Sequence, residues 1–176
     1  MKKFCIIFLL SIIISLTAFG FDGNLKNGEI QSEYLRIHIR ADSNDNEAQA
    51  VKYVVRDKVV EYLTPLVAEC ETKEEAMRRV SEKTQEIAFL AQETLMKNGF
   101  SYGASAELTV ESFPTRVYGE YTLPAGNYAA LILRLGSGKG DNWWCVVYPP
   151  LCFAAVDTNV IYKSKIKEII ERWKNT

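Results

Sequence analysis

Residues 35–66 read LRIHIRADSNDNEAQAVKYVVRDKVVEYLTPL, and the change of period inside this stretch decides the fold class. Leu35, Ile37 and Ile39 alternate with Arg36, His38 and Arg40, the period-two signature of a half-buried strand. Asp42-Ser43-Asn44-Asp45 ends that strand and offers several helix N-caps. From Glu47 the period becomes helical: Val51, Val55, Val59, Tyr62, Leu63 and Leu66 make one apolar stripe, with Lys52, Arg56 and Lys58 off it. Pro65 lacks an amide hydrogen and crowds the preceding turn, so the helix is expected to end or kink near Leu63, with Thr64 capping a short continuation.

Downstream, Thr72 with Glu75 three residues on makes a capping box, and Ala76, Val80, Ile87, Ala91 and Leu95 line one face of a second helix. Asn98-Gly99 stops it. The period then returns to two: Ala106, Leu108 and Val110 form one strand, Arg116 to Leu123 a second, Tyr128 to Leu135 a third and Trp143 to Tyr148 a fourth. Pro124-Ala125-Gly126-Asn127 is a turn between the middle pair. Tyr162, Ile166, Ile169, Ile170 and Trp173 mark a terminal amphipathic helix. The pattern predicts an α+β fold: a mainly antiparallel sheet, two consecutive helices after the first strand, and a C-terminal helix.

Upstream, Met1-Lys2-Lys3 is a basic start, Phe4 to Leu16 is apolar but for Ser11 and Ser15, and Ala18-Phe19-Gly20 supplies small residues for cleavage. Residues 1–20 therefore read as a signal peptide, or an N-terminal membrane anchor where uncleaved. Polar residues up to Ser32 make 21–32 a linker, and 33–176 is the size of one domain able to bury its own core. A net charge of −1, with 48% hydrophobic and 24% charged residues, argues against a nucleic-acid partner, which needs a concentrated basic face.

Candidate chemistry concentrates in Gly136–Phe153, GSGKGDNWWCVVYPPLCF. The glycines do not make a phosphate loop: Lys139 is followed by Gly140, and Leu133 stands where the first glycine belongs. A hairpin turn accounts for them better, and no cofactor is implied. His38 is the one histidine, which excludes two- and three-histidine zinc sites and makes it the obligatory base of any cysteine–histidine site. Alternation places it on a polar strand face with Arg36 and Arg40, a surface suited to an acidic partner. Cys145 and Cys152 flank Pro149-Pro150 and admit three readings: a disulfide, two buried thiols, or a nucleophile at one of them. Cys70 has no evident partner. Trp143 and Trp144 must point to opposite faces of their strand, so one is expected in the core and the other outside, either as a recognition residue or in a packing role.

Two segments resemble the stage II sporulation protein R family of endospore-forming bacteria. One is Leu35 to Asp45 with the following Val55-Arg56-Asp57-Lys58-Val59; the other is Leu123 to Tyr128 together with Gly138-Lys139-Gly140-Asp141-Asn142-Trp143-Trp144-Cys145 and its Pro149-Pro150-Leu151-Cys152-Phe153 close. The resemblance implies a signal rather than an enzyme. Such proteins are exported from the forespore into the space between the two cells. There they trigger a membrane-embedded peptidase that cleaves the precursor of the sporulation sigma factor E. It carries over no catalytic residue. The expected partner-binding residues are Arg36, His38, Arg40, Lys139, Asn142, Trp143 and Trp144. The rival reading is a cell-envelope hydrolase or transferase using Cys145 or Cys152 with His38.

Overall fold

The computed structural model describes residues 30–119, 121–153 and 167–173. Strand β1 (Ile30–Arg40) is followed by helices α1 (Asn46–Ala68), α2 (Lys73–Glu82) and α3 (Thr84–Lys97). Strands β2 (Ala104–Phe113), β3 (Arg116–Tyr118), β4 (Tyr121–Leu123), β5 (Gly126–Leu135) and β6 (Asn142–Tyr148) come next, then a short 3-10 turn at Leu151–Phe153. Residues 167–173 are helical. The four-stranded sheet has the order β2-β5-β1-β6, and β3 pairs with β4 in a separate two-stranded ribbon. Contacts β2·β5 and β1·β6 are antiparallel while β1·β5 is parallel. The expected α+β class and mainly antiparallel sheet are what the structure contains.

The helices cover one face of the sheet. Leu35, Ile37, Ile39, Leu131, Leu133, Cys145 and Val147 face the stripe Val51, Val55, Val59 and Leu63 of α1 and Ala76, Val80, Ile87, Ala91 and Leu95 of α2 and α3. The hairpin β3–β4 lies over the other face, where Phe113, Leu123, Tyr128, Ala130, Ile132 and Val146 form a second, smaller core. Central strand β1 is therefore buried on both sides, and not on one as its alternation predicts. β1 also begins at Ile30, inside the stretch expected to be linker.

Three other departures have local causes. Helix α1 runs through Pro65 to Ala68. Proline leaves the Glu61 carbonyl without its helical donor, but Glu61 is exposed to water, while buried Val67 and Ala68 favour continuation. Thr64 does not cap; its hydroxyl donates to the Val60 carbonyl at 2.7 Å. The second expected helix is two, broken at Lys83, with the apolar stripe continuous across the break. Thr72 caps α2 by accepting from the Glu75 amide at 3.2 Å, and Glu75 reaches back to the Glu71 amide at 3.1 Å. Lastly, Arg116 to Leu123 is not one strand but the β3–β4 hairpin, turned at Gly119 with φ +61°. Helix α3 stops as expected: Gly99 has φ +86°, and the Phe100 amide donates to the Leu95 carbonyl at 3.0 Å. Ile169 is buried and Ile170 and Trp173 half-buried in the 167–173 helix, whereas Tyr162, Ile166 and the expected signal peptide or anchor at 1–20 lie outside the described residues. No helix among the described residues is long and apolar enough to cross a membrane.

Candidate functional site

The hairpin-side face of β1 carries Arg36, His38 and Arg40. They are not the exposed patch that the sequence suggests: Arg36 is 0% and His38 5% exposed, and only Arg40 is half-exposed. Flanking strands β5 and β6 make β1 central, and the aromatic layer under β3–β4 then roofs the face. The Arg36 guanidinium lies 4.0 Å from the Phe113 ring centre, 4.7 Å from Tyr128 and 5.7 Å from Tyr118. Its Nη2 donates to the Tyr118 hydroxyl at 2.7 Å. Ala130, its β5 neighbour, leaves room for this packing. Desolvated cation–π contacts of this kind are worth about 2 kcal/mol, which offsets part of the cost of burying the charge. His38 Nδ1 stands 2.9 Å from Glu111 Oε2, and Arg40 Nη2 pairs with the other oxygen of the same carboxylate. Glu111 carries no signal in the sequence, because it belongs to β2 and reaches this face only through the β2-β5-β1 order.

At the far end of β1 the two motif segments interlock. The Gly136–Asp141 loop seats on Ala41–Asp45: the Ser137 amide donates to Asp42 Oδ1 at 2.5 Å, the Gly140 amide to the Ala41 carbonyl at 2.8 Å, and the Asp141 amide to Asn44 Oδ1 at 2.6 Å. A Cβ on Gly140 would lie 2.2 Å from the Ser43 carbonyl oxygen, so glycine is required by close approach of two backbones. Lys52, buried at the root of α1, donates to the Asp141 carbonyl at 3.0 Å and braces the loop from below. The loop is thus a structural clamp that sets the start of β6. Lys139 is exposed on it, and Asn142 is exposed at the first position of β6. Trp143 and Trp144 do leave β6 on opposite faces, but both are half-buried, so neither is core nor free. Each is covered by an arginine: Arg56 stands 5.7 Å from the Trp143 ring, and Arg116 lies 4.1 Å over Trp144.

Cys145 and Cys152 are joined by a disulfide. Closing so small a loop stabilises the fold by about 2.5 kcal/mol on the chain-entropy estimate. The bridge leaves neither sulfur as a thiolate. The β1–β6 register also puts His38 opposite Trp144 and Ile37 opposite Cys145, so the histidine and the cysteine stand on opposite faces of the sheet. The Cys145 or Cys152 with His38 site is therefore not assembled. Cys70 is buried, its thiol pushed up to about 11 chiefly by burial, and donates to the Leu66 carbonyl at 3.2 Å. Among the described residues no cluster of His, Cys, Asp or Glu is arranged to hold a metal. A cavity of about 420 Å³, which sequence reasoning did not find, opens at the opposite end of the sheet from the clamp, beside Glu33, Thr72, Tyr148 and Trp173.

The raised tyrosine hydroxyls and the Cys70 thiol are expected to make the fold alkali-labile. Burial raises Tyr34, Tyr102, Tyr118, Tyr128 and Tyr148, and Tyr62 is pushed up to about 12 by burial and its bond to Glu86. In the unfolded chain these phenols ionise near 10 and the thiol near 9. The folded state then holds more protons than the unfolded state above those values, so stability is fully present below about pH 9 and falls as pH rises toward 12. Thermal melts are expected to be level from about pH 7 to 9 and to drop steeply by about pH 11. A midpoint unchanged at pH 11 would show that these groups are not buried.

A family model described as "Stage II sporulation protein R (spore_II_R)" matches residues 31–158. The stage II sporulation protein R of Bacillus subtilis (strain 168) is 40% identical over 124 residues, which are 70% of this chain and 55% of that protein. The chain thus spans about half the length of the curated relative it matches. No solved structure matches.

Proposed function

The chain belongs to the stage II sporulation protein R family, and on that footing we propose that it is the exported forespore signal that activates a peptidase in the mother-cell membrane, leading to cleavage of the sigma factor E precursor. The observation that carries this reading is the family match across residues 31–158, which takes in both interlocked motif segments. Two structural features support it. The clamp and the disulfide fix β6 and its tryptophans on a rigid edge, which lowers the entropy lost on binding. Also, β1 runs about 36 Å, at 3.3 Å per residue, from Ile30 to the clamp, which puts the clamp at the end of the sheet opposite Ile30.

The action is allosteric. The domain docks on the extracytoplasmic part of the peptidase and favours its active state by binding that state more tightly than the inactive one. The contact surface is the hairpin-side face, with Trp144 and Arg116 at its rim and Lys139 and Asn142 at the clamp end.

An immunoblot of the sigma-factor precursor during early sporulation tests the role, in a strain of the native host lacking this gene. The precursor is expected to persist uncleaved, and re-expression of the chain in the forespore to restore the shorter form. Cleavage on schedule without the gene would overturn the reading.

A further inference from the structure

Burying a guanidinium without an acid is costly, because arginine keeps its charge and loses its hydration. Among the described residues no carboxylate pairs with Arg36; its neighbours are the neutral Tyr118 hydroxyl, which accepts from Nη2, and the Tyr128 hydroxyl, and neither Nε nor Nη1 makes a hydrogen bond of ordinary geometry. Two residues on, along the same strand face, His38 Nε2 is also buried and without a partner, its Nδ1 being committed to Glu111. The two side chains thus leave the same strand face from Cα positions roughly 6.6 Å apart along the strand. Their cover is slight. Strands β3 and β4 have three residues each and pair only with one another among the described strands. A two-stranded ribbon is marginal alone, so this one is held chiefly by its packing on the second core, and its opening exposes fewer buried residues than global unfolding does.

We propose that Arg36 is the receptor for a carboxylate carried by the partner, an aspartate or glutamate side chain that enters beneath the β3–β4 hairpin and accepts from the guanidinium. The aromatic walls Phe113 and Tyr128, both outside the hairpin, hold the guanidinium in place and exclude water, which strengthens the pair. This proposal rests on the signalling role and names the chemistry that the partner must supply.

Arg36→Met separates a receptor from a packing element. Methionine fills the aromatic cage without a buried charge, and such replacements are often neutral or stabilising. The full-length variant, expressed in the forespore of the deletion strain beside wild type, is expected to keep or raise its melting temperature while processed sigma factor falls roughly 10- to 100-fold. A folded Arg36→Met that processes as wild type overturns the proposal and leaves the signalling role intact. Wild type that fails to restore processing overturns the signalling role instead. In that event, or if the variant does not fold, acetate titrated into the ¹⁵N-labelled full-length chain in detergent decides the site. A saturable shift at Arg36 Nε–H supports it, and its absence overturns it.

Discussion

Alanine at Gly140 is expected to lower the melting temperature by about 6–12 °C, the equivalent of about 3 kcal/mol in a chain of this size. The new Cβ would meet the Ser43 carbonyl oxygen at 2.2 Å, the carbonyl carbon at 2.5 Å and the amide nitrogen at 2.9 Å. All three are backbone atoms, and no rotamer change relieves them. Ser43 cannot simply retreat, because its carbonyl accepts from Gln49 Nε2 at 2.8 Å on the first turn of α1. The loop must then lift, and its bonds from Ser137, Gly140 and Asp141 to the Ala41–Asp45 segment are lost together. Gly138 supplies the control. It has φ +63°, but a Cβ there would touch only the Arg134 side chain at 3.5 Å. Alanine at Gly138 therefore bears only the left-handed backbone cost of about 1–2 kcal/mol. Thermal melts of the two variants should rank Gly140→Ala well below Gly138→Ala. Equal losses would mean that conformational strain, not close approach, explains the glycines.

The elements were legible wherever one face alone decides burial. The stripes of α1 and of α2 with α3, the capping box at Thr72 and the Gly99 stop are local patterns, and they appear where periodicity puts them. The opposite facing of Trp143 and Trp144 also follows from period two. What the sequence hid depends on strand order. Alternation along β1 says that Arg36 and His38 share a face but not that another layer covers it; that follows from β1 lying between β5 and β6 beneath a separate hairpin. A long polar run such as Arg-x-His-x-Arg normally means solvent, and only cation–π packing and the Glu111 carboxylate make its burial tolerable. Likewise the glycines of the Gly136–Asp141 loop signal a turn, while the Asp42–Asp45 segment signals a helix cap. That each is the other's docking partner is a long-range fact with no local trace.

Trp144→Ala and Trp143→Ala should dissociate signalling from stability. Trp144 leaves β6 on the hairpin side, beside His38 at 5.3 Å and under the Arg116 guanidinium, at the rim of the face assigned to the partner. A tryptophan flanked by an arginine at such a rim has the character of an interface hot spot, for which truncation costs about 2 kcal/mol or more, roughly 30-fold in affinity. Trp143 leaves on the helix side, packed against the larger core and near Arg56 of α1. Its truncation removes half-buried aromatic area and is expected to cost about 1–2 kcal/mol of folding stability, a fall of about 2–8 °C. In the deletion strain, Trp143→Ala should melt earlier yet process the sigma-factor precursor, whereas Trp144→Ala should remain folded and leave most of it uncleaved. The reverse pattern would move the contact to the helix side of the clamp, where exposed Tyr53 adjoins Arg56. It would also remove the need for a carboxylate at Arg36, since the partner would then meet the opposite face of the sheet. The two tryptophans are adjacent in sequence but separated by the full thickness of the sheet, so this pair of variants reads out which face the partner uses with the smallest change to the chain.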